Sequence, residues 1–336
     1  MPTTRPELPR PAAGGPTTRA GDAHALQCMQ VWGDNRAADS GVVMPGLDAW
    51  VHSRPAGTAD AGGDVHYVSS CATGRIVRLL VADVSGHGDS VAEVAGKLRA
   101  LMRRHMNQAD QRKLLTQINR EFLGLSRLGQ FATAVVISCW TPTGALTVSI
   151  AGHPSPLRFR AETGEWEPLF AAGEHANLPL GVDDAADFQQ VRVRLEPDEM
   201  LLAFSDGLIE SRDAEGRMLG QQGVIEMLNQ LRARGRTVAP TQPAAEDADG
   251  PDSLVPELIA RVEARRGGAP SEDDTTAMLI RPNELRPKAS LLGGLGAGVR
   301  LARGVLGSVG RPGEAPVPEV NATNMLGAFS DRFNRP

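Results

Sequence analysis

Four aspartates lie at the ends of apolar runs, three of them beside glycine or a second acid and Asp83 just before a glycine-rich turn: Gly62-Gly63-Asp64, Ala82-Asp83-Val84, Ser205-Asp206-Gly207 and Asp273-Asp274-Thr275-Thr276. A carboxylate at the end of a buried strand is costly unless something pairs with it. One such residue is ordinarily a turn former or a cap. Four in one chain point to a common centre. Carboxylates clustered without a cation repel and raise one another's pKa. An all-oxygen donor set suits hard cations such as Mg²⁺ and Mn²⁺ rather than zinc. Two such cations lower the pKa of a bridging water, giving hydroxide near neutral pH, and hold a phosphoryl oxygen in line. No GxSxG or CxxxxxR pattern supplies a side-chain nucleophile. The chemistry expected is metal-assisted hydrolysis of a phosphoester.

The central positioning element is the stretch 79–89, Leu-Leu-Val-Ala-Asp-Val-Ser-Gly-His-Gly-Asp. The apolar run 76–82 reads as a buried strand that delivers Asp83 into a glycine-rich turn. Residues 65–71 form the other arm of a hairpin with 75–82, turning at Thr73-Gly74. Apolar residues at 91, 94, 95, 98, 101 and 102 recur at helical spacing over about 90–107. A second helix is expected over 111–126. Strands follow at 131–140, 146–150, 157–160, 191–195 and 200–204, then a helix at 221–233. A Pro-, Ala- and acid-rich insertion, 234–253, has the composition of a mobile loop. A short helix at 255–264 and a last strand at 275–281 complete the pattern. Hairpins interleaved with helices imply an α+β fold with antiparallel sheets, in one domain of about 25–282.

Residues 1–24 have the composition of a disordered leader. Residues 283–336 read as a flexible Gly- and Pro-rich tail. Within it, 291–310 carry apolar residues at heptad spacing, which also suits a short docking or membrane-surface helix. The net charge of −5 argues against a nucleic-acid partner. The three cysteines form no CxxC pair, the N-terminus has no signal-like apolar segment and no run is long enough to span a membrane. The expected location is the cytoplasm.

An ordered set of motifs resembles the SpoIIE/RsbU-like bacterial serine phosphatases of the metal-dependent PPM family. It comprises Arg54-Pro55-Ala56, Gly62-Gly63-Asp64, Val81 through Gly88, Asn119, Phe131-Ala132-Thr133 and Ala151-Gly152-His153-Pro154. Leu178-Pro179-Leu180-Gly181, Phe204 through Glu210 and Asp273-Asp274-Thr275-Thr276 complete it. The resemblance implies a four-layer αββα sandwich, two antiparallel sheets flanked by helices, with two Mn²⁺ or Mg²⁺ ions at one end. It implies that Asp83 bridges both metals, that the Val84 carbonyl completes the second site, that Asp206 and Asp273 hold the first and that Asp64 serves the second. Asp274 then supports the ligands from behind. Asp83, Asp206 and His87 are the implied catalytic residues. His87 is suited to protonate a leaving serine oxygen, although its flanking glycines equally mark a tight turn. Arg54 is a candidate phosphate ligand, and His153 a turn-packing residue. One departure is Tyr67, where the family usually has a further acid.

The implied activity is hydrolysis of a phosphoserine or phosphothreonine protein, such as a small anti-sigma-factor antagonist, in signalling or transcription regulation. A regulatory partner would act at helix 90–106 or at the tail. Two other readings stay open: a binding module that sequesters such a partner, and a hydrolase of small phosphoesters.

Overall fold

The computed structural model describes residues 24–285 apart from 27–29, 72–73, 87, 126–128 and 236–250. The leader up to residue 23, most of the expected insertion and the expected tail helix 291–310 lie outside the described residues. In chain order the first strands are β1 His24–Ala25, β2 Val31–Trp32, β3 Ala38–Met44, β4 Leu47–Arg54, β5 Asp64–Ser70 and β6 Ile76–Val84. Helices α1 Asp89–Arg104 and α2 Gln111–Leu125 follow. Then come β7 Ala132–Trp140, β8 Ala145–Ala151, β9 Leu157–Arg160, β10 Glu165–Pro168, β11 Ala176–Asn177, β12 Val191–Val193 and β13 Met200–Phe204. The chain closes with α3 Asp206–Ile209, α4 Gly220–Gly235, α5 Pro251–Arg265 and β14 Thr275–Pro282.

Strand alternation sets the layers. Along β6, Val77, Leu79 and Val81 enter one apolar core, while Leu80, Ala82 and Val84 enter another. A strand with both faces covered reads as a near-continuous apolar run, which is why 76–82, interrupted only by Arg78, is so legible. One sheet runs β1-β3-β4-β14-β13-β9-β10, and the other runs β11-β8-β7-β6-β5-β2 with β12 on β8. Every pairing is antiparallel except the two-residue edge pairs β1·β3 and β11·β8. The first core lies between the sheets. The second is closed by α1 and α2, through Val94, Leu98, Met102, Leu115, Ile118 and Phe122. A third is closed by α4 and α5 on the other sheet. The architecture is the expected αββα sandwich.

Arg78 is fully buried and donates to Ser138 Oγ (3.0 Å) and to the carbonyls of Met106 (3.0 Å) and Gln108 (2.7 Å). It pins the α1–α2 connection to the sheet. Four details differ from expectation. α4 reaches Gly235 and α5 starts at Pro251, so helix takes up both ends of the expected insertion. The strand expected at 191–195 is Val191–Val193 only. β3 was invisible to periodicity, because Ala-Asp-Ser-Gly-Val-Val-Met carries no alternation and owes its strand form to pairing with β4. Asp206, expected to end a strand, lies instead in the first turn of α3.

Candidate metal centre

Both sheets bring carboxylates to the same end of the sandwich. β5 opens at Asp64 and β6 closes at Asp83-Val84, with Asp64 and Asp83 directly opposed in register. β13 ends at Phe204, and Asp206 follows it into α3. The β13–β14 register, Phe204 with Ala277, brings Asp273-Asp274 alongside Asp206. A chain of hydroxyls stitches the halves together. Ser205 Oγ donates to Asp64 Oδ2 (2.7 Å) and accepts from the Thr276 N–H (2.9 Å). The Thr276 and Ser53 hydroxyls share a bond at 3.0 Å.

Asp274 organises the turns behind this row. Its Oδ1 accepts from the Ala56 N–H at 2.6 Å, and its Oδ2 from the N–H groups of Gly63 at 2.5 Å and Asp64 at 3.3 Å. A Cβ at Gly62 would collide with the Asp274 carboxylate, and one at Gly207 with the Asp274 carbonyl. A Cβ at Gly63 would stand 2.8 Å from the Val84 carbonyl and 3.2 Å from Asp83 Oδ1. These glycines are therefore required by close approach: a side chain at position 63 would press on the Val84 oxygen and the Asp83 carboxylate. The motif at 54–56 takes part through the Ala56 N–H. Arg54 itself pairs with Asp39 at 3.7 Å.

The electrostatics match a site built for cations. Burial pushes Asp64 well above the usual carboxylate range; the neighbouring Asp83 adds to this, and the Ser205 and Thr276 hydrogen bonds oppose it. Asp83 is pushed up to about 7, first by burial and then by Asp206, Asp273, Asp274 and Glu210. Asp206 is raised by burial and by Glu210. Asp273 is raised by burial, while the Asp274 N–H, 2.8 Å from its Oδ1, pulls the other way. Acids that hinder one another's ionisation are stabilised together by hard cations. Among the described residues, no three His, Cys, Asp or Glu side chains are closed into a ready-made cage. The fit rests on the all-oxygen donor set and on carboxylates that burial and one another make hard to ionise.

Asp64, Asp83, Val84, Asp206 and Asp273 thus meet at one end, while His87 lies outside the described residues. His153 is buried, its Nδ1 bonded to Thr133 Oγ1 at 2.8 Å, and Thr133 is the register partner of Asp83. Burial pushes this imidazole down to about 3, so it stays neutral. Tyr67 does not face the aspartates. It packs in the core beneath α1 and donates to the Met102 carbonyl at 3.3 Å. Asn119 accepts from the Gly181 N–H (2.8 Å) and donates to the Asp183 carbonyl (2.7 Å), fixing the 178–183 segment on α2.

Sequence reasoning missed Ser205 and Thr276, small hydroxyl residues whose importance depends on a partner far along the chain. It also missed Asn35, whose Nδ2 donates to the carbonyls of Gly62 and Ala92, both at 3.0 Å. That residue ties the Gly-Gly-Asp turn to α1, and no local signal marks it.

The family model of stage II sporulation protein E (SpoIIE) matches residues 73–283. The chain belongs to the SpoIIE family. Solved structures agree on the fold. The RsbU and RsbW domains of a Mycobacterium tuberculosis protein share 23% identity and a TM-score of 0.58, over 83% of this chain and 73% of that one. The SiaA-PP2C domain of Pseudomonas aeruginosa shares 18% identity at a TM-score of 0.54, over 69% of this chain and 84% of its own. The PP2C phosphatase domain of Bacillus subtilis SpoIIE, with a fragment of its regulatory domain, shares 16% at 0.54, over 70% and 63%. No curated protein matches the chain. The SpoIIE family lies within the metal-dependent PPM phosphatases, and the chain is a phosphoprotein phosphatase of the serine/threonine class. No helix among the described residues is long and apolar enough to cross a membrane.

Proposed function

We propose that this SpoIIE-family member, through a phosphatase domain spanning about 25–282, hydrolyses phosphoserine or phosphothreonine on a small regulatory protein such as an anti-sigma-factor antagonist, in the cytoplasm. The observation that carries this is the row of four strand-end aspartates contributed equally by two sheets and joined by Ser205. Asp64, Asp83, Asp206, Asp273 and the Val84 carbonyl would hold two Mn²⁺ or Mg²⁺ ions. When bound, such ions supply Lewis acidity that lowers the pKa of a water and neutralises charge on phosphoryl oxygens. The chain's own residues do the rest. Ser205 and the Asp274 clamp hold the carboxylates in place before substrate arrives. His153 stays neutral behind Thr133, so it adds no competing positive charge. His87, four residues beyond Asp83 in the sequence, is the candidate donor of a proton to the leaving serine oxygen. A regulatory partner bearing on α1 would reach the centre through Asn35.

The test is turnover of p-nitrophenyl phosphate and of a phosphoserine peptide with Mn²⁺ and after chelation, in the full chain and in Asp206→Asn, with calorimetric Mn²⁺ binding alongside. Hydrolysis that needs Mn²⁺ and is lost in Asp206→Asn is expected. Equal rates in both proteins would overturn the assignment. Peptide binding without turnover would favour the sequestering module, and turnover of the small ester alone would favour the small-phosphoester hydrolase.

A further inference from the structure

Large exposed apolar residues are unevenly spread. Among the described residues, Leu123, Leu125, Phe131, Leu178, Val182, Met218 and Leu285 qualify. The first five belong to three segments that meet beside the aspartate row. Phe131 precedes β7 and is bonded twice to Ser85, two residues beyond Asp83: the Ser85 N–H donates to the Phe131 carbonyl at 2.9 Å, and the Phe131 N–H donates to the Ser85 side-chain Oγ at 3.0 Å. On the other side of β7, Leu180 pairs with Ala132 through both backbone groups. That pairing sets Gly181 and Val182 next to Phe131. Leu178 is 48% and Val182 49% exposed. Gly181 packs against Phe122 of α2, and Leu123 and Leu125 lie at the end of that helix. Asn119 holds the loop down, so the patch sits on an anchored segment.

We propose that the Phe131–Leu178–Val182 surface is a docking subsite for an apolar residue that flanks the phosphoserine of the protein substrate. The inference rests on the phosphoprotein-hydrolase reading above and deepens it. Continuity carries the choice of occupant. Neighbouring strands lie about 4.8 Å apart, so Phe131 is one strand from Asp83 and the Leu178–Val182 segment two, about 10 Å away. An extended peptide advances about 3.3 Å per residue, so about three residues separate a phosphoserine at the aspartates from a side chain on the patch. Six acidic side chains, Asp64, Asp83, Asp206, Glu210, Asp273 and Asp274, crowd the row. They favour no acidic flanking residue, and an apolar contact gives affinity that this charge does not oppose.

Two fluorescently labelled phosphoserine peptides in a Gly/Ser background test it, one with Leu at positions −3 and +3 and one with Ala there. Anisotropy titrations use the full chain with Mn²⁺, and compare wild type with Leu178→Ser and Val182→Ser. Burying part of a leucine side chain is expected to favour the first peptide about tenfold, which is about 1.4 kcal/mol. Either substitution should bring the ratio to about twofold or less. Both positions are exposed, so folding is preserved. A wild-type ratio near one, or a ratio that survives both substitutions, would overturn the proposal. If the substitutions instead convert a dimer to a monomer in light scattering and leave the ratio intact, the patch is occupied by a second copy and the proposal fails. No turnover of either peptide by the wild-type chain, with the tenfold binding preference present and lost in both substitutions, would count against the hydrolase reading and leave the docking inference standing.

Discussion

Replacing Asp83 by Asn removes the most contested charge in the row. In metal-free buffer, the wild-type carboxyl has its pKa raised from 3.8 to about 7. A raised folded-state pKa means that the folded chain holds this proton more tightly than the unfolded chain. Its contribution to stability is therefore complete below pH 4 and is lost as pH rises through about 7. At 1.36 kcal/mol per pH unit the full shift is worth about 4 kcal/mol. Asp64, Asp206 and Asp273 are raised as well, and the row titrates jointly, so about 2 kcal/mol is assigned to the single substitution. For a domain of this size that is about 4–8 °C in melting temperature. Circular-dichroism melts with EDTA at pH 5 and pH 8 measure it. Asp83→Asn should melt about 4–8 °C above wild type at pH 8 and by about a third of that margin at pH 5, while Mn²⁺-dependent turnover falls at least about a hundredfold. A variant that melts below wild type at pH 8, or by the same margin at both pH values, would refute the reasoning. It would mean that hydrogen bonds to the chain, not burial among like charges, govern this carboxyl.

Ser205→Ala leaves Asp64 Oδ2 and the Thr276 N–H without the hydroxyl that joins them, at a cost of about 2 kcal/mol in urea unfolding; an unmoved midpoint would count against the seam. Tyr67→Phe loses a 3.3 Å bond to the Met102 carbonyl and the contact with the Ser69 side chain, and should cost about 1 kcal/mol, with Mn²⁺-dependent turnover retained. Tyr67→Glu, which restores the family's usual acid, should destabilise the chain by about 3 kcal/mol or more, because the carboxylate is buried beneath α1. A stable, more active Tyr67→Glu variant would show that this position does serve the metals.

Elements buried on a regular period were legible. α1 and α2 declare themselves because each repeats its apolar positions at 3.6 residues, and β6 because both its faces are apolar. β3 and α3 did not, since Ala38–Met44 follows its neighbour β4 and a four-residue helix has no period to show. The aspartates were legible as a set because glycine marks three of them. What the glycines do was not: Gly62 and Gly207 make room for Asp274, a residue 212 and 67 positions further on. Tyr67 illustrates the opposite error. Its place in a motif suggested a link to the metals, whereas strand alternation turns it toward Val65, Leu80 and the helix. Residues acting through distant partners, Ser205 and Asn35 above all, carry no local pattern.

The placement of β14 has a consequence for how the enzyme comes into being. This last strand of the described chain is inserted between β4 and β13, in the interior of its sheet, and brings Asp273 and Asp274 with it. A ribosome that has released β5 and β6 has exposed Asp64 and Asp83, yet the carboxylates that complete the row are still unsynthesised. Contacts across such sequence separations form late, after the loop-closure entropy has been overcome. On the proposed metal assignment, a truncated or stalled chain lacks part of its phosphatase centre. Catalytic competence arrives with the closing strand, as a certificate that the whole domain has been made.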